Sequence, residues 1–175
     1  MQVTLGLSSS GIAHGRVQPE LQYLPEPAVD SGFTYEIGTD YYERPIALAF
    51  TLVTDSNAAT RQVALKLETP TGLTLAAVPI ASGQTASLTY TYSFLAQLSN
   101  AQAVEATVVM SPLFNFVIPS LYSLVVTIAN KQAGDQISNI CWYSDRFSTG
   151  PDGYPMGGYS DDSLAAWAVS AASQE

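Results

Sequence analysis

The chain has 175 residues, carries a formal net charge of −9, and contains only 12% charged residues. Ordinary soluble domains hold roughly 25% charged residues. Such a low value is typical either of a robust β-protein or of a surface covered by neighbouring subunits, since interface cores are depleted in charge. The acidic balance argues against nucleic acid as a partner, because phosphate binding needs clustered Lys and Arg.

Residues 1–43 predict an extended N-terminal arm. Pro19, Pro25 and Pro27 lie close together in it, and each proline fixes φ and removes a backbone donor. Brief strands are expected at residues 21–24 and 33–37. The first residues show neither a basic region nor a long apolar stretch, so no signal peptide is predicted and synthesis in the cytoplasm is expected.

Residues 44–143 predict the folded body, because short alternating runs are separated by turn signals. In residues 44–54, for example, four apolar side chains recur at every second position: Ile46, Leu48, Phe50 and Leu52. A strand repeats every two residues, so these side chains are expected on one sheet face. Similar runs occupy residues 61–68, 73–80, 85–94, 105–110, 121–129 and 136–143, and residues 130–135 predict a turn between the last two.

About eight strands at this spacing favour an all-β fold, an antiparallel β-sandwich of jelly-roll-like type. No stretch approaches the 18 or so consecutive apolar residues of a membrane-spanning helix, so no membrane association is expected. Residues 95–103 contain helix formers but are too few for an independent helix, and a loop with a helical turn is predicted there.

Residues 144–175 predict a Gly- and Pro-rich tail. Residues 163–172 within it favour a short helix capped by Asp162 or Ser163, with Leu164 and Trp167 on one stripe. Acidic residues are concentrated in this tail and in the arm, whereas the body is nearly neutral. The two ends could therefore dock on a basic partner, although solvated termini explain the same pattern.

The sequence provides little material for catalysis. His14 is its single histidine, which is too few for a conventional triad or zinc site. Cys141 is the single cysteine, so no internal disulfide can form, and its apolar setting predicts a buried side chain. A calcium site is conceivable around Asp145, Asp152, Asp161 and Asp162, but no EF-hand spacing is present. We expect no enzyme activity, no cofactor and no metal.

Three stretches of the body resemble small structural proteins of tailed bacteriophage particles. They are residues 42–52, residues 84–92 and residues 121–140, and in the last a strand ends in an Asn-x-Gln-Ala-Gly-Asp turn before the next strand. The resemblance covers roughly residues 40–143 and leaves both ends unaccounted for. Its motifs are structural and carry no active site.

This resemblance implies a virion structural protein, and a capsid decoration (cement) protein is the first expectation. It would sit on the capsid surface, bind the major capsid protein, and form a homo-oligomer, with a trimer favoured. The alternatives are a receptor- or carbohydrate-binding module of a head or tail fibre, and a secreted hydrolase-associated binding domain. The predicted partner-binding residues are aromatic side chains of the arm and tail: Tyr23, Phe33, Tyr41, Tyr42, Tyr154, Tyr159 and Trp167.

Overall fold

The computed structural model describes residues 17–99 and 102–148, and this part of the chain forms strands, turns and loops without a helix. Its strands are β1 (Val17–Tyr23), β2 (Phe33–Glu36), β3 (Tyr41–Val53), β4 (Gln62–Glu68), β5 (Thr74–Pro79), β6 (Thr89–Leu95), β7 (Ala103–Glu105), β8 (Val108–Pro112), β9 (Ser123–Ala129) and β10 (Gln136–Ser148).

The strands form two sheets. One has six strands in the order β1-β10-β3-β6-β8-β7, and the other has four in the order β2-β9-β4-β5. Neighbouring strands are antiparallel except β6 and β8, which run parallel. The buried apolar side chains of both sheets form one cluster. The predicted fold class, an all-β antiparallel sandwich, is confirmed.

Strand alternation builds this core. On β4, Val63, Leu65 and Leu67 are buried, while the residues between them are half-buried. β9 shows the same period at Leu124, Val126 and Ile128. These two faces are the ones that the alternation predicts, because successive side chains of a strand point to opposite sides of the sheet.

Aromatic rings from several strands meet in the centre of the core. The ring of Phe50 on β3 stacks on that of Tyr92 on β6, with centroids 5.3 Å apart. Phe33 on β2 contacts Phe50 edge-on at 5.6 Å, which joins the two sheets. Offset and edge-on pairs of this kind suit the ring quadrupole.

Two β-bulges interrupt the pairing of β3 with β10. Tyr143 lies opposite Ala47 and Ser144 opposite Pro45, so Ile46 is an extra residue on β3. A bulge of one residue reverses which side the following residues face. Glu43 and Pro45 therefore point inward together with Leu48, while Ile46, predicted on the apolar face, is half-buried. The second bulge lies on β10 at Asn139, whose φ is 51°.

The predicted N-terminal arm contributes an edge strand to each sheet within its described part. β1 pairs with β10 over its whole length, and β2 pairs with β9. These two strands correspond to the brief strands expected near residues 21–24 and 33–37. At the other end β10 continues to Ser148, beyond the predicted body. The short helix predicted for residues 163–172 lies outside the described residues, as does His14.

Candidate partner-binding surface

A buried ion cluster lies at one end of the long β3–β10 pair. Arg61, which immediately precedes β4, is fully buried. Its Nε and Nη2 atoms donate to the two carboxylate oxygens of Asp135 at 2.8 Å each. Nη1 donates to the carbonyl oxygens of Asn57 and Ala59, and Nη2 also donates to Asp55. Every N–H group of the guanidinium is therefore used.

Asp135 completes this cluster from the turn that precedes β10. Its carboxylate also accepts the backbone N–H groups of Asp55 at 3.0 Å and Gln132 at 2.8 Å. Burial alone would raise the pKa of Asp135, but the hydrogen bonds from Arg61 and from these two backbone groups outweigh burial and lower it. The turn predicted at residues 130–135 is present, and its last residue serves to hold Arg61 in place.

A second buried cluster surrounds Glu43 at the opposite end of β3. Trp142 Nε1 donates to its Oε2 at 2.6 Å, and Ser144 Oγ donates to the same oxygen at 2.9 Å. Its Oε1 accepts from the Tyr35 hydroxyl at 2.9 Å and from Arg146 Nε at 3.1 Å. These four side chains donate hydrogen bonds to both carboxylate oxygens, so Glu43 on β3 links this strand to β2 and β10.

Arg146 extends the Glu43 cluster to the edge strand β1. Its guanidinium lies over the Tyr41 ring, 4.5 Å from the centroid, and Nη1 pairs with Glu20 Oε2 at 2.5 Å. Burial and the neighbouring Glu43 carboxylate raise the pKa of Tyr35 to about 12. In both clusters, the charged groups are thus occupied by hydrogen bonds that link strands and loops of the sandwich.

The described residues contain no group of three or more His, Cys, Asp or Glu side chains arranged to hold a metal ion. Of the residues considered for calcium, Asp145 pairs with Arg44, and Asp152, Asp161 and Asp162 lie outside the described part. Cys141 is half-buried, not fully buried as the sequence predicts.

The described part of the chain has no helix that could serve as a membrane span.

The outer side of the six-stranded sheet is a broad surface with few charges, which we call the uncharged face. Following the register of the strands, its residues are Pro19, Leu21, Tyr23, Gln136, Ser138, Cys141, Tyr143, Ala47, Ala49, Thr51, Val53, Thr89, Thr91, Ser93, Leu95, Val108, Met110, Pro112 and Ala103. Charges border it at the Arg44–Asp145 pair, at Glu105 on β7, and at Glu26, whose Oε1 accepts the N–H of Asn139 in the β10 bulge at 3.3 Å.

The outer side of the four-stranded sheet differs in its charges. Lys66 on β4 lies in its middle, between Val125 on β9 and Ala77 on β5. Glu68 and Glu36 flank Ser123 on the same side. Strand pairing places the residues opposite each other on one face of a sheet, so this second surface carries charge where the uncharged face has Ala, Thr and Ser.

The uncharged face has a depression at one end and exposed apolar side chains at its β1 edge. A depression of about 380 Å³ lies at one end of it and is lined by Ile46, Ala47, Leu95, Gln97 and Leu98. At its β1 edge, Leu21 is 55% exposed and Tyr23 is 79% exposed. Exposed apolar groups beside a charge-poor surface are typical of an interaction site.

The structure separates the predicted partner-binding residues into three groups. Tyr23 and Tyr42 point to the outer side of the six-stranded sheet, Tyr23 on the uncharged face and Tyr42 beyond the Arg44–Asp145 pair. Phe33 packs in the core and Tyr41 turns inward onto Arg146. The remaining three, Tyr154, Tyr159 and Trp167, lie outside the described residues. Glu43, Arg61 and Asp135 were not among the predicted site residues.

No family model matches the chain, and the comparison with curated proteins found no match. Weak structural neighbours include a structure of infectious bursal disease virus, Gx strain, at 13% identity and a TM-score of 0.34, covering 88% of this chain and 38% of that chain. A mutant VP2 protein of the same virus, in derived T=1 particles, gives 11% identity, 96% and 51% coverage and a TM-score of 0.29.

Dimeric latent PorU from Porphyromonas gingivalis is another neighbour, at 12% identity with a TM-score of 0.30, and the match covers 82% of this chain and 14% of PorU. The chain thus spans about half or less of the length of these proteins. Proteins of virus particles are thus among its weak structural neighbours.

Proposed function

We propose that the protein is a non-enzymatic structural component of a virus particle, which binds the outer capsid surface and stabilises the shell. The observation that carries the proposal is the uncharged face, a sheet surface in which uncharged side chains replace the usual charged ones. The resemblance of residues 40–143 to structural proteins of tailed-phage particles supplies the virion context.

The placement of the described charges supports a role in binding over a role in catalysis. Arg61, Asp135 and Glu43 are buried, and their hydrogen-bonding groups are already used within the sandwich. The uncharged face, by contrast, presents apolar and hydroxyl side chains. A protein that acts by covering neighbouring subunits needs such surfaces, because burying an unpaired charge at an interface costs several kcal/mol.

The C-terminal sequence supports a second contact with the capsid. After Arg146 the chain contains four acidic residues and no Lys or Arg: Asp152, Asp161, Asp162 and Glu175. Trp167 lies in the same segment, and Trp is enriched at protein interfaces. We propose that this segment binds a basic region of the major capsid protein, since opposite charges steer association.

Counting copies per particle tests the proposed function. We expect quantitative mass spectrometry of purified particles to find hundreds of copies of this chain, on the scale of the capsid subunits. A handful of copies would instead favour the fibre or connector role, and absence from the particles would contradict the proposal. Electron cryomicroscopy of the same particles would then show whether the density lies outside the shell.

A pair of matched variants tests the acidic contact in the full-length chain. Replacing Asp161 and Asp162 by Asn should weaken binding to undecorated capsids roughly tenfold at low salt, because complementary charges are lost. The control replaces Glu36 and Glu68, which lie on the outer side of the four-stranded sheet, by Gln, which changes the net charge equally. Equal weakening by both variants would show a general charge effect and contradict a specific acidic contact.

A further inference from the structure

We propose that residues 2–8 of this chain pair with the free edge of β1, as an additional antiparallel strand of the six-stranded sheet. Residues 1–16 lie outside the described residues and lead directly into β1. The proposal concerns the backbone of an edge strand and not the uncharged face. It goes beyond the proposed function and holds or fails independently of it.

β1 is the longest edge strand of the described sandwich. It has seven residues, against four in β2, six in β5 and three in β7. Soluble proteins shorten, bulge or cover their edge strands, because a row of free backbone groups invites another strand. The pairing of β5 is irregular near Glu68, and the Pro79 carbonyl oxygen at its end accepts from Gln102. β1 pairs with β10 in a continuous register, so it is the edge that most needs to be covered.

The odd-numbered residues of β1 carry its outward backbone groups. The Leu24 N–H donates to Ile140 O at 3.0 Å, and the register continues this pairing along β1. Bonded and non-bonded pairs alternate along an antiparallel ladder. The N–H and C=O groups of Leu21 and Tyr23 therefore point away from β10, whereas those of Gln22 point toward it. An extended backbone supplies donors and acceptors at the same repeat, so this edge selects a strand as its occupant.

The sequence of residues 2–8 matches this edge in its alternation. Val3, Leu5 and Leu7 are apolar and occupy every second position, while the residues between them are polar or glycine. On β1, Leu21 and Tyr23 are exposed and also alternate with polar residues. We place Leu5 opposite Leu21, and the same antiparallel register then brings Val3 opposite Tyr23. The two exposed side chains gain apolar neighbours in this register, and such cross-strand pairs stabilise a sheet.

Covalent connection selects the chain's own segment over a strand from another molecule. Residues 9–16 join the two strands and are rich in Ser and Gly, which favour turns and flexible connections. The entropic cost of closing such a loop grows only slowly with its length. A short flexible linker also gives an effective concentration on the order of millimolar. Pro19 removes one donor from the edge, which disfavours pairing with an untethered strand.

Amide hydrogen exchange of the full-length chain, resolved by NMR, tests this pairing. The Leu21 N–H points away from β10, so its exchange is slow only if another strand covers the edge. Leu5→Pro removes the N–H opposite Leu21 and should accelerate the exchange of Leu21 at least about tenfold. The Gln22 N–H points toward β10 and should exchange slowly in every variant, which shows that β1 itself remains paired.

Thr4→Pro is the matched control. Thr4 precedes Leu5 in the sequence, but its backbone groups point away from β1 in the proposed ladder, where a proline is tolerated. We expect this variant to leave the exchange of Leu21 unchanged. Rapid exchange of Leu21 in the wild type, or equal acceleration by both variants, would overturn the proposal.

Dependence on concentration distinguishes the other possible occupants of the edge. Pairing within one chain gives a Leu21 exchange rate that is independent of protein concentration. Protection that increases with concentration would assign the edge to a second copy, and protection found only on virus particles would assign it to the capsid. Either result would contradict pairing within the chain. The isolated chain is sufficient for this test, so its failure leaves the proposed function intact.

Discussion

The two buried charge clusters lie at opposite ends of the β3–β10 pair and meet the same physical requirement in different ways. Arg61 obtains two carboxylates and two backbone carbonyls, and three of its four partner residues lie within six positions in the sequence. Glu43 obtains one cation and three neutral donors, and three of these partners lie about a hundred residues away on β10. The Arg61 cluster links the loop before β4 to the turn before β10, whereas the Glu43 cluster links strands that are distant in sequence.

This difference shows where a broken contact can be compensated. The Asp135 side chain has almost no contact with solvent, so water could not solvate its carboxylate if Arg61 were removed. Arg146 is 19% exposed and already pairs with Glu20, so it can replace a lost carboxylate in part. Removing one member of a buried pair leaves the other charge uncompensated, and the cost depends on how far solvent can reach it.

The largest effect is expected from Arg61→Met. This variant keeps most of the side-chain volume but leaves the Asp135 carboxylate buried without its cation, which should lower the free energy of unfolding by about 3–5 kcal/mol. Urea unfolding at neutral pH measures the change. Lys131→Met is the control, because Lys131 and Asp30 form an exposed pair at 3.7 Å, and the loss there should stay below about 1 kcal/mol. Equal losses would contradict the role of Arg61.

A smaller loss, about 1–3 kcal/mol, is expected from Glu43→Gln. The amide has one acceptor oxygen instead of two, and its NH₂ group faces donors such as Trp142 Nε1 or the Tyr35 hydroxyl. Glu20→Gln is the matched control at the outer side of Arg146 and should cost less than about 1 kcal/mol. If Glu43→Gln were as harmful as Arg61→Met, the exposure of Arg146 would not compensate as we infer.

Acid should weaken the contribution that Asp135 of the Arg61 cluster makes to stability. The pKa of Asp135 lies below its ordinary value of 3.8 in the folded chain. A lowered folded-state pKa contributes stability above the unfolded-state value, and this is lost as the pH falls through the folded-state value. Wild-type stability should therefore decline below about pH 4. Asp135→Asn should be less stable at neutral pH and show a shallower decline in acid, as measured by urea unfolding; an unchanged slope would contradict this.

The alternation of apolar residues predicted the core faces of β4 and β9 because that signal is local: a strand repeats every two residues wherever it lies. The inward position of Glu43 could not be predicted this way. The bulge at Ile46 reverses the alternation, and a bulge depends on the partner strand more than on the residues that form it. The parallel pairing of β6 with β8 is likewise a non-local property.

The candidate surface was predictable in part. Tyr23 and Tyr42, chosen for their aromatic side chains, lie on the outer side of the six-stranded sheet, whereas Phe33, chosen by the same rule, packs against Phe50. Residue type alone does not distinguish an interface aromatic from a core aromatic. The sequence held one indication of the Arg61 cluster. The body has few charged residues, and two of them, Asp55 and Asp135, lie in predicted turns. That signal indicates a buried ion pair only once the strand order is known.

The smallest effect is expected from Tyr35→Phe, which removes one hydrogen bond to Glu43 and leaves Arg146, Trp142 and Ser144 in place. The loss should be about 1 kcal/mol at neutral pH. Because the pKa of Tyr35 is raised to about 12 in the folded chain, above its ordinary value of 10.0, its contribution is complete below pH 10 and disappears as the pH rises through 12. Ultraviolet absorbance at high pH should therefore show a late tyrosine ionisation that the variant lacks, while the late ionisation of Tyr92, whose pKa burial also raises, remains. If the variant instead kept every late ionisation and lost one near the ordinary tyrosine value of 10.0, the Tyr35 hydroxyl would not be held by the Glu43 cluster, and this cluster would join β3 to β10 without β2.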